Sequence, residues 1–300
     1  MSIARHASEI TLPPNQGWQT VLQFLCVQFP FIPATVWQER IAAGKVHWYQ
    51  GLPITSETPY AAGKRLCYYR EVAAEPVIPS AHHILYQDDH ILIACKPHYL
   101  PVTPGGEYVN ECLLERVRRD TRLEDIAPVH RLDRETAGLV LFSVNPQSRA
   151  AYYELFSGGR IRKHYQAVAR LIPDYQSVLL PKVWHIENHI SKSKPAFIMK
   201  QQPDGEINAR SEITLTARRE DIGLFDLQPY TGKTHQLRLH MLSLGMPILH
   251  DKYYPQLQPK QPPQFDKPLQ LLASTLHFTD PVSGKLHHFR SERQLTCWPA

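Results

Sequence analysis

The densest chemistry in this sequence lies between residues 130 and 138, where the chain reads His-Arg-Leu-Asp-Arg-Glu-Thr-Ala-Gly. Asp133 is flanked there by Arg131 and Arg134. A neighbouring cation favours the ionised form of a carboxylate, the form required of a nucleophile or of a base at neutral pH. The same residues fit a plainer reading: an aspartate in a turn before a strand, paired with a surface arginine. Such exposed pairs are common and contribute little. A second run, Gly232-Lys233-Thr234, has the ending of a phosphate-binding P-loop. That motif needs a glycine five residues earlier, and position 227 is leucine, so a nucleotide triphosphatase is rejected. Sixteen histidines raise the question of a metal. The pairs His82/His83, His287/His288 and His235/His240 fit no standard ligand spacing such as H-E-x-x-H, so no metal site is expected.

The run His130 to Gly138 resembles the H-R-L-D-x-x-T-x-G signature of the RluA family of pseudouridine synthases. Further blocks resemble that family in the same order. They are Leu85 to His90 with Lys96-Pro97 and Leu100-Pro101-Val102, then Arg162-Lys163-His164-Tyr165-Gln166-Ala167-Val168. Next come Gly232-Lys233-Thr234-His235-Gln236-Leu237-Arg238-Leu239-His240, Leu244 to Ile248, Asp251-Lys252-Tyr253-Tyr254, and Leu271 to Phe278 with Pro281. The resemblance spans residues 85 to 281, about two thirds of the chain. Several ordered blocks are far more specific than any one of them.

The resemblance implies an RNA partner, ribosomal or transfer RNA, in which uridine is isomerised to pseudouridine without a cofactor. It implies a mixed α/β (α+β) fold built on a largely antiparallel sheet, acting as a monomer. By the same resemblance Asp133 is the catalytic carboxylate and Arg238 its ion-pair partner. Tyr165 packs its ring on the uracil, with its hydroxyl placed to help remove the C5 proton. A phenol with a pKa near 10 is a poor base unless its surroundings assist. A uridine in folded RNA must leave its stack to be reached, and Arg131 is expected to fill the vacated space. Arg160, Arg162 and Lys163, beside Tyr165, are expected to contact phosphates, as is Lys233. His130 is expected to support its loop rather than perform chemistry. Two positions depart from the family pattern. Lys233 stands where arginine is usual, which loses a planar bidentate fork, and Ala137 replaces a common serine. The rival from another class is a non-catalytic RNA-binding protein that keeps the synthase fold.

The elements that must position these residues are partly legible. Apolar residues at threes and fours predict a helix from Gly17 to Phe29 and a second from Pro33 to Ala43, closed by Gly44. Short strands follow around Val46–Trp48 and Leu66–Val72. Ile41 to Val46 with Gly51 resembles the core of an S4-type RNA-binding module, although only Arg40 and Lys45 supply nearby cations. An S4-like domain is therefore expected over 15–75 and a catalytic domain over 81–300, joined through the proline-bearing segment Glu75 to Ser80. Residues 1 to 14 read as a polar tail. Strands are expected at Ile84–Tyr86, Ile91–Ala94, Leu139–Val144, Tyr165–Arg170, Ile213–Ala217 and Leu224–Pro229, and helices at Asn110–Arg119 and His235–Leu244. Arg116, Arg118, Arg119 and Arg122 are read as a solvated helix face, and Pro255 to Pro268 as an exposed loop.

Composition sets the outer bounds. With 43% hydrophobic and 20% charged residues among 300, whole-chain disorder is excluded. No apolar run approaches the ~20 residues that span a bilayer, and the N-terminus lacks the apolar core of a secretory signal. A cytoplasmic protein with no membrane partner is expected. Five cysteines at scattered positions suit buried reduced thiols rather than a disulfide framework. A net charge of +5 permits a polyanionic partner without requiring one.

Overall fold

The computed structural model describes residues 1–299. Its contacts divide the chain into two compact units, residues 1–76 with 105–110, and residues 77–104 with 111–300. The division at Pro76 falls inside the proline-bearing segment.

In the first unit, strands β1 (Ser2–Ile3) and β2 (Ser8–Thr11) precede helices α1 (Val21–Gln28) and α2 (Ala34–Ala42). Strands β3 (Val46–Trp48), β4 (Arg65–Tyr68) and β5 (Glu71–Val72) follow. The residues read as a tail are in fact ordered sheet: β1 pairs with β5, and β2 pairs with β4, whose other edge takes β3. Two- and four-residue strands with exposed alternate positions carry too little apolar pattern to announce themselves. Helix α1 starts later than its periodicity suggests. Asn15 Oδ1 first accepts the N–H groups of Gly17 and Trp18 in a turn, and Thr20 then caps the helix by accepting from Gln23 N–H. Val21, Phe24 and Leu25 of α1 meet Trp37 and Ile41 of α2 and Val46 and Leu66 of the sheet in one apolar core. Arg40 and Lys45 both end on Glu71, at 2.8 and 2.5 Å. Burial alone would raise the Glu71 carboxyl, but hydrogen bonds from Lys45 and Arg40 hold it below its ordinary value.

The second unit runs β6 (His83–Gln87), β7 (Ile91–Lys96), α3 (Leu113–Thr121), β8 (Ala127–Pro128), β9 (Ala137–Ser143) and α4 (Arg149–Ser157). It continues β10 (Arg162–Arg170), β11 (Lys182–Lys192), β12 (Met199–Gln202), β13 (Ala209–Arg219), β14 (Ile222–Pro229), α5 (Gln236–Ser243), β15 (Leu271–Thr279) and β16 (Leu286–Arg290). These strands form one sheet of 11, in the order β12-β11-β13-β14-β10-β15-β9-β7-β6, with β16 on β15 and β8 on β9. Every pairing is antiparallel except β9 with β15. The largely antiparallel α+β architecture is the expected one. Strands β11, β12, β15 and β16 and helix α4 were not anticipated, because their mixed or alternating polarity gives no continuous apolar run.

Burial explains the layering. Strand β9 is buried at every position, whereas β14 alternates between buried and partly exposed residues, as a strand with one covered face does. Leu237 and Met241 of α5 pack with Ala167, Ile213, Leu215, Phe225 and Leu227 in one core cluster. Tyr152 and Leu155 of α4 pack with Ile91, Ile93, Leu139 and Leu141 in another. Gly138 is obligatory at the parallel crossing: its φ is +115°, and a Cβ there would lie 2.2 Å from the Ala273 carbonyl oxygen.

Helix α3 corrects one expectation. Arg116 and Glu115 are buried rather than solvated. Arg116 pairs with Glu111 and donates to the carbonyls of Ile78 and Ser80, while Glu115 takes Arg118 at 2.8 Å. Arg119 and Arg122 do stay exposed. Residues 255–268 contain neither helix nor strand and are mostly exposed, as expected. Among the described residues no helix is long and apolar enough to cross a membrane.

Candidate active site

One cleft of about 250 Å³ gathers residues from three motif blocks. The loop before β9 supplies His130, Arg131 and Asp133, strand β10 supplies Lys163 and Tyr165, and the β14–α5 junction supplies Lys233, His235 and Arg238. The volume lies just below the ~300–1,000 Å³ of typical small-molecule sites, suited to a single extruded base. Of the residues singled out in the sequence, Asp133, Tyr165, Arg238, Arg131, Lys163 and Lys233 line this cleft. Arg160 and Arg162 are exposed and do not line it.

The Asp133 loop is pinned from beneath. Lys96, at the end of β7, is fully buried. Its ammonium donates to the carbonyls of Pro97, Leu100 and Arg134 at 3.0, 2.7 and 3.1 Å. His98 donates from Nδ1 to the Glu135 carbonyl at 2.6 Å, and Thr136 N–H closes a turn onto the Asp133 carbonyl at 3.1 Å. Burial pushes Lys96 down to about 7, against the pull of Asp133 and Glu135. His130 accepts the Leu141 N–H through Nε2 at 3.1 Å and stacks on Phe156 at 4.7 Å. Burial drives its pKa down to about 3, so it is neutral and braces the loop.

Strand β10 reaches the cleft through an irregularity. Its register against β15 slips between His164 and Tyr165, and such a bulge re-aims side chains. Tyr165 lines the cleft as a buried phenol whose pKa is raised, first by burial and then by the charge of Asp133. Lys163 lies on the inner wall and not on the outer rim: it is 7% exposed, with its ammonium 4.8 Å above the Phe156 ring. Burial lowers its pKa. Arg131 and Lys233 remain exposed at the mouth.

Arg238 sits in the first turn of α5 and is 1% exposed. Its Nε and Nη2 form a fork onto Asp251, at 2.7 and 2.5 Å. Its Nη1 is 3.6 Å from Asp133 Oδ2 and makes no hydrogen bond. Tyr253 and Tyr254 stack beside the guanidinium, 4.6 and 5.4 Å from ring centre to Cζ. Burial works against its charge, but the bonds to Asp251 and the charge of Asp133 hold its pKa above the ordinary value. The ion pair expected between Arg238 and Asp133 is therefore the looser of two, and Asp251 is the principal partner.

Sequence reasoning passed over Asp251, His235 and Lys96 as individual residues. Each lay inside a block that was recognised, but nothing in its type or spacing showed that it would be buried against a charge. Among the described residues no group of three histidine, cysteine or acidic side chains comes together to hold a metal.

Comparison with known proteins points the same way. The family model described as RNA pseudouridylate synthase matches residues 90–243. The chain is 31% identical over 212 residues to the dual-specificity RNA pseudouridine synthase RluA of Haemophilus influenzae, covering 70% of this chain and 92% of that one. It is 28% identical over 243 residues to the ribosomal large subunit pseudouridine synthase C of Rickettsia typhi, covering 79% of this chain and 74% of that one. In fold it is similar to the human RNA pseudouridylate synthase domain containing 1, with a TM-score of 0.56 at 20% identity, covering 73% of this chain and 86% of that one.

Proposed function

Because this chain belongs to the RluA family of RNA pseudouridine synthases, we propose that it isomerises a uridine of folded RNA in the cleft of Asp133, with Asp133 as the catalytic carboxylate. The observation that carries this reading is the approach of Arg238 Nη1 to Asp133 Oδ2, 3.6 Å, by a buried donor that bonds to nothing else. A buried N–H without a partner is costly. It is supplied here where charge gathers on the carboxylate or on the atom it engages.

In the reaction the N1–C1′ bond breaks, the uracil turns, and C5 joins C1′. C5 loses a proton and N1 gains one, so no external group is consumed. Asp133 acts at the sugar, either on carbon or on a sugar proton. The Tyr165 ring packs on the base as a wall. Burial and Asp133 keep its hydroxyl protonated, which supports a packing and hydrogen-bonding role over that of a base. Arg131, exposed at the mouth, fills the space left by the extruded uridine. Lys233 and the outer Arg160 and Arg162 contact phosphates, and the inward Lys163 sets the cleft wall. The non-catalytic alternative has no use for the unpaired Arg238 donor.

Ribosomal RNA is the first substrate to test, since one relative is named for the large ribosomal subunit, with transfer RNA second. We read the enzyme as a cytoplasmic monomer, with the first unit as its S4-like module. In that unit Glu71 occupies both Arg40 and Lys45, which weakens a phosphate-binding role for this pair. Pseudouridine mapping of ribosomal and transfer RNA from cells lacking the protein, before and after incubation with it, tests the proposal. A single new position is expected, and no new position in either RNA contradicts it.

A further inference from the structure

Once C5 has bonded to C1′, the hydrogen on C5 must leave as a proton, and its bonding pair must re-form the C5=C6 double bond. The raised pKa of Tyr165 makes that phenol a poor acceptor. Another side chain in the cleft is arranged to accept.

His235 is 8% exposed and lines the cleft. It stands immediately before α5 with φ of 56°, a left-handed conformation that costs a residue with a Cβ about 1–2 kcal/mol. Its ring lies beside Tyr253 and Tyr254, with centroids 5.4 and 5.7 Å away. Nδ1 is 2.9 Å from the Tyr254 hydroxyl. That hydroxyl donates its only proton to the Met199 carbonyl at 3.0 Å and accepts the Met199 N–H at 3.0 Å. Its remaining lone pair is filled by a donor, so Nδ1 carries the ring proton. Nε2 is then a bare lone pair, 3.8 Å from Asp133 Oδ2. The charged groups facing the ring are Asp133 on the loop before β9, Arg238 on its own helix and Asp251 on the segment after it. Burial and Arg238 lower its pKa against the two carboxylates, which leaves the ring neutral at pH 7.

We propose that His235 Nε2 accepts the C5 proton during isomerisation. The lone pair takes the proton, the C–H pair returns to the uracil ring, and the resulting imidazolium is stabilised by the Asp133 carboxylate before its proton passes to solvent. A weak base suffices, because losing this proton restores the conjugation of uracil. The Tyr254–Met199 contact fixes the tautomer that keeps Nε2 open. This inference rests on the Asp133 cleft being the catalytic site.

The test uses the full chain and RNA carrying 5-³H- or 5-²H-uridine. His235→Asn is the first variant, because asparagine tolerates the left-handed conformation. Tritium release at saturating RNA is expected to fall about 100-fold, with a deuterium isotope effect larger than that of wild type and RNA affinity retained. Tyr254→Phe leaves the imidazole but frees its tautomer, and is expected to lose roughly tenfold. It decides the matter should the asparagine variant not fold. Unchanged release in the variant that folds overturns the inference, as does slow release with an unaltered isotope effect. Asp133→Asn run alongside separates the two layers: turnover by that variant removes the cleft assignment itself, whereas its loss beside an active His235→Asn removes only the base.

Discussion

Two buried cations flank the Asp133 loop, and they are spent differently. Lys96 places three donors on three backbone carbonyls and has none left over. Arg238 places Nε and Nη2 on Asp251 and keeps Nη1 unbonded beside Asp133. A saturated buried charge fixes backbone, and a buried donor held in reserve points to chemistry. By this criterion Lys96 builds the site and Arg238 works in it.

The largest effect expected is at Arg238. Arg238→Met leaves Asp251 buried without its partner, and breaking a buried pair costs about 3–5 kcal/mol. Arg238→Lys keeps the charge and loses the fork. It should retain most of the stability in urea denaturation while tritium release falls about 100-fold, within the range seen when one donor of a preorganised site is removed. Equal losses of stability and turnover in that lysine variant would break the comparison.

Lys96→Met should show the opposite balance. It strands three carbonyls, at about 1–3 kcal/mol for a buried unsatisfied group. The expected result is a lowered urea midpoint and faster amide exchange across residues 130–136, with residual turnover at low temperature. Abolished turnover in a variant as stable as wild type would make Lys96 a participant.

The smallest effect separates the two cations by pH. Lys96 has an ordinary value of 10.5 and is pushed down to about 7. Between those values the unfolded chain holds a proton that the folded chain releases, so this group's contribution makes stability rise with pH. Below pH 7 the group is charged in both states and contributes no slope. Arg238, held above its ordinary value, stays charged throughout. The stability difference between wild type and Lys96→Met should therefore shift in favour of wild type from pH 7 to pH 9 in urea titrations. A flat difference would show that the three carbonyls keep Lys96 protonated.

The ordered blocks made Asp133, Tyr165 and Arg238 legible in the sequence, and the buried run Leu139–Val144 made the central strand legible. What stayed hidden depends on partners far along the chain. The fork from Arg238 to Asp251 spans 13 residues, and no local pattern shows that Asp251 rather than Asp133 takes it. Lys163 looked like a surface cation, and its inward position follows from the bulge next to Tyr165, which leaves no mark in residue type. Arg116 looked solvated because the carbonyls of Ile78 and Ser80 that bury it arrive from a distant segment. The N-terminal strands were hidden for another reason. Ser2–Ile3 and Ser8–Thr11 are too short for a period-two pattern to stand out from a polar tail.

The central claim is that Asp133 carries the reaction in this cleft. The direct measurement is tritium release from RNA bearing 5-³H-uridine, prepared from cells lacking the protein, by wild type and by Asp133→Asn, with RNA binding measured on both. Release by wild type alone, with binding by the variant within a few fold, is the predicted result. Release by the variant at the wild-type rate would contradict the account.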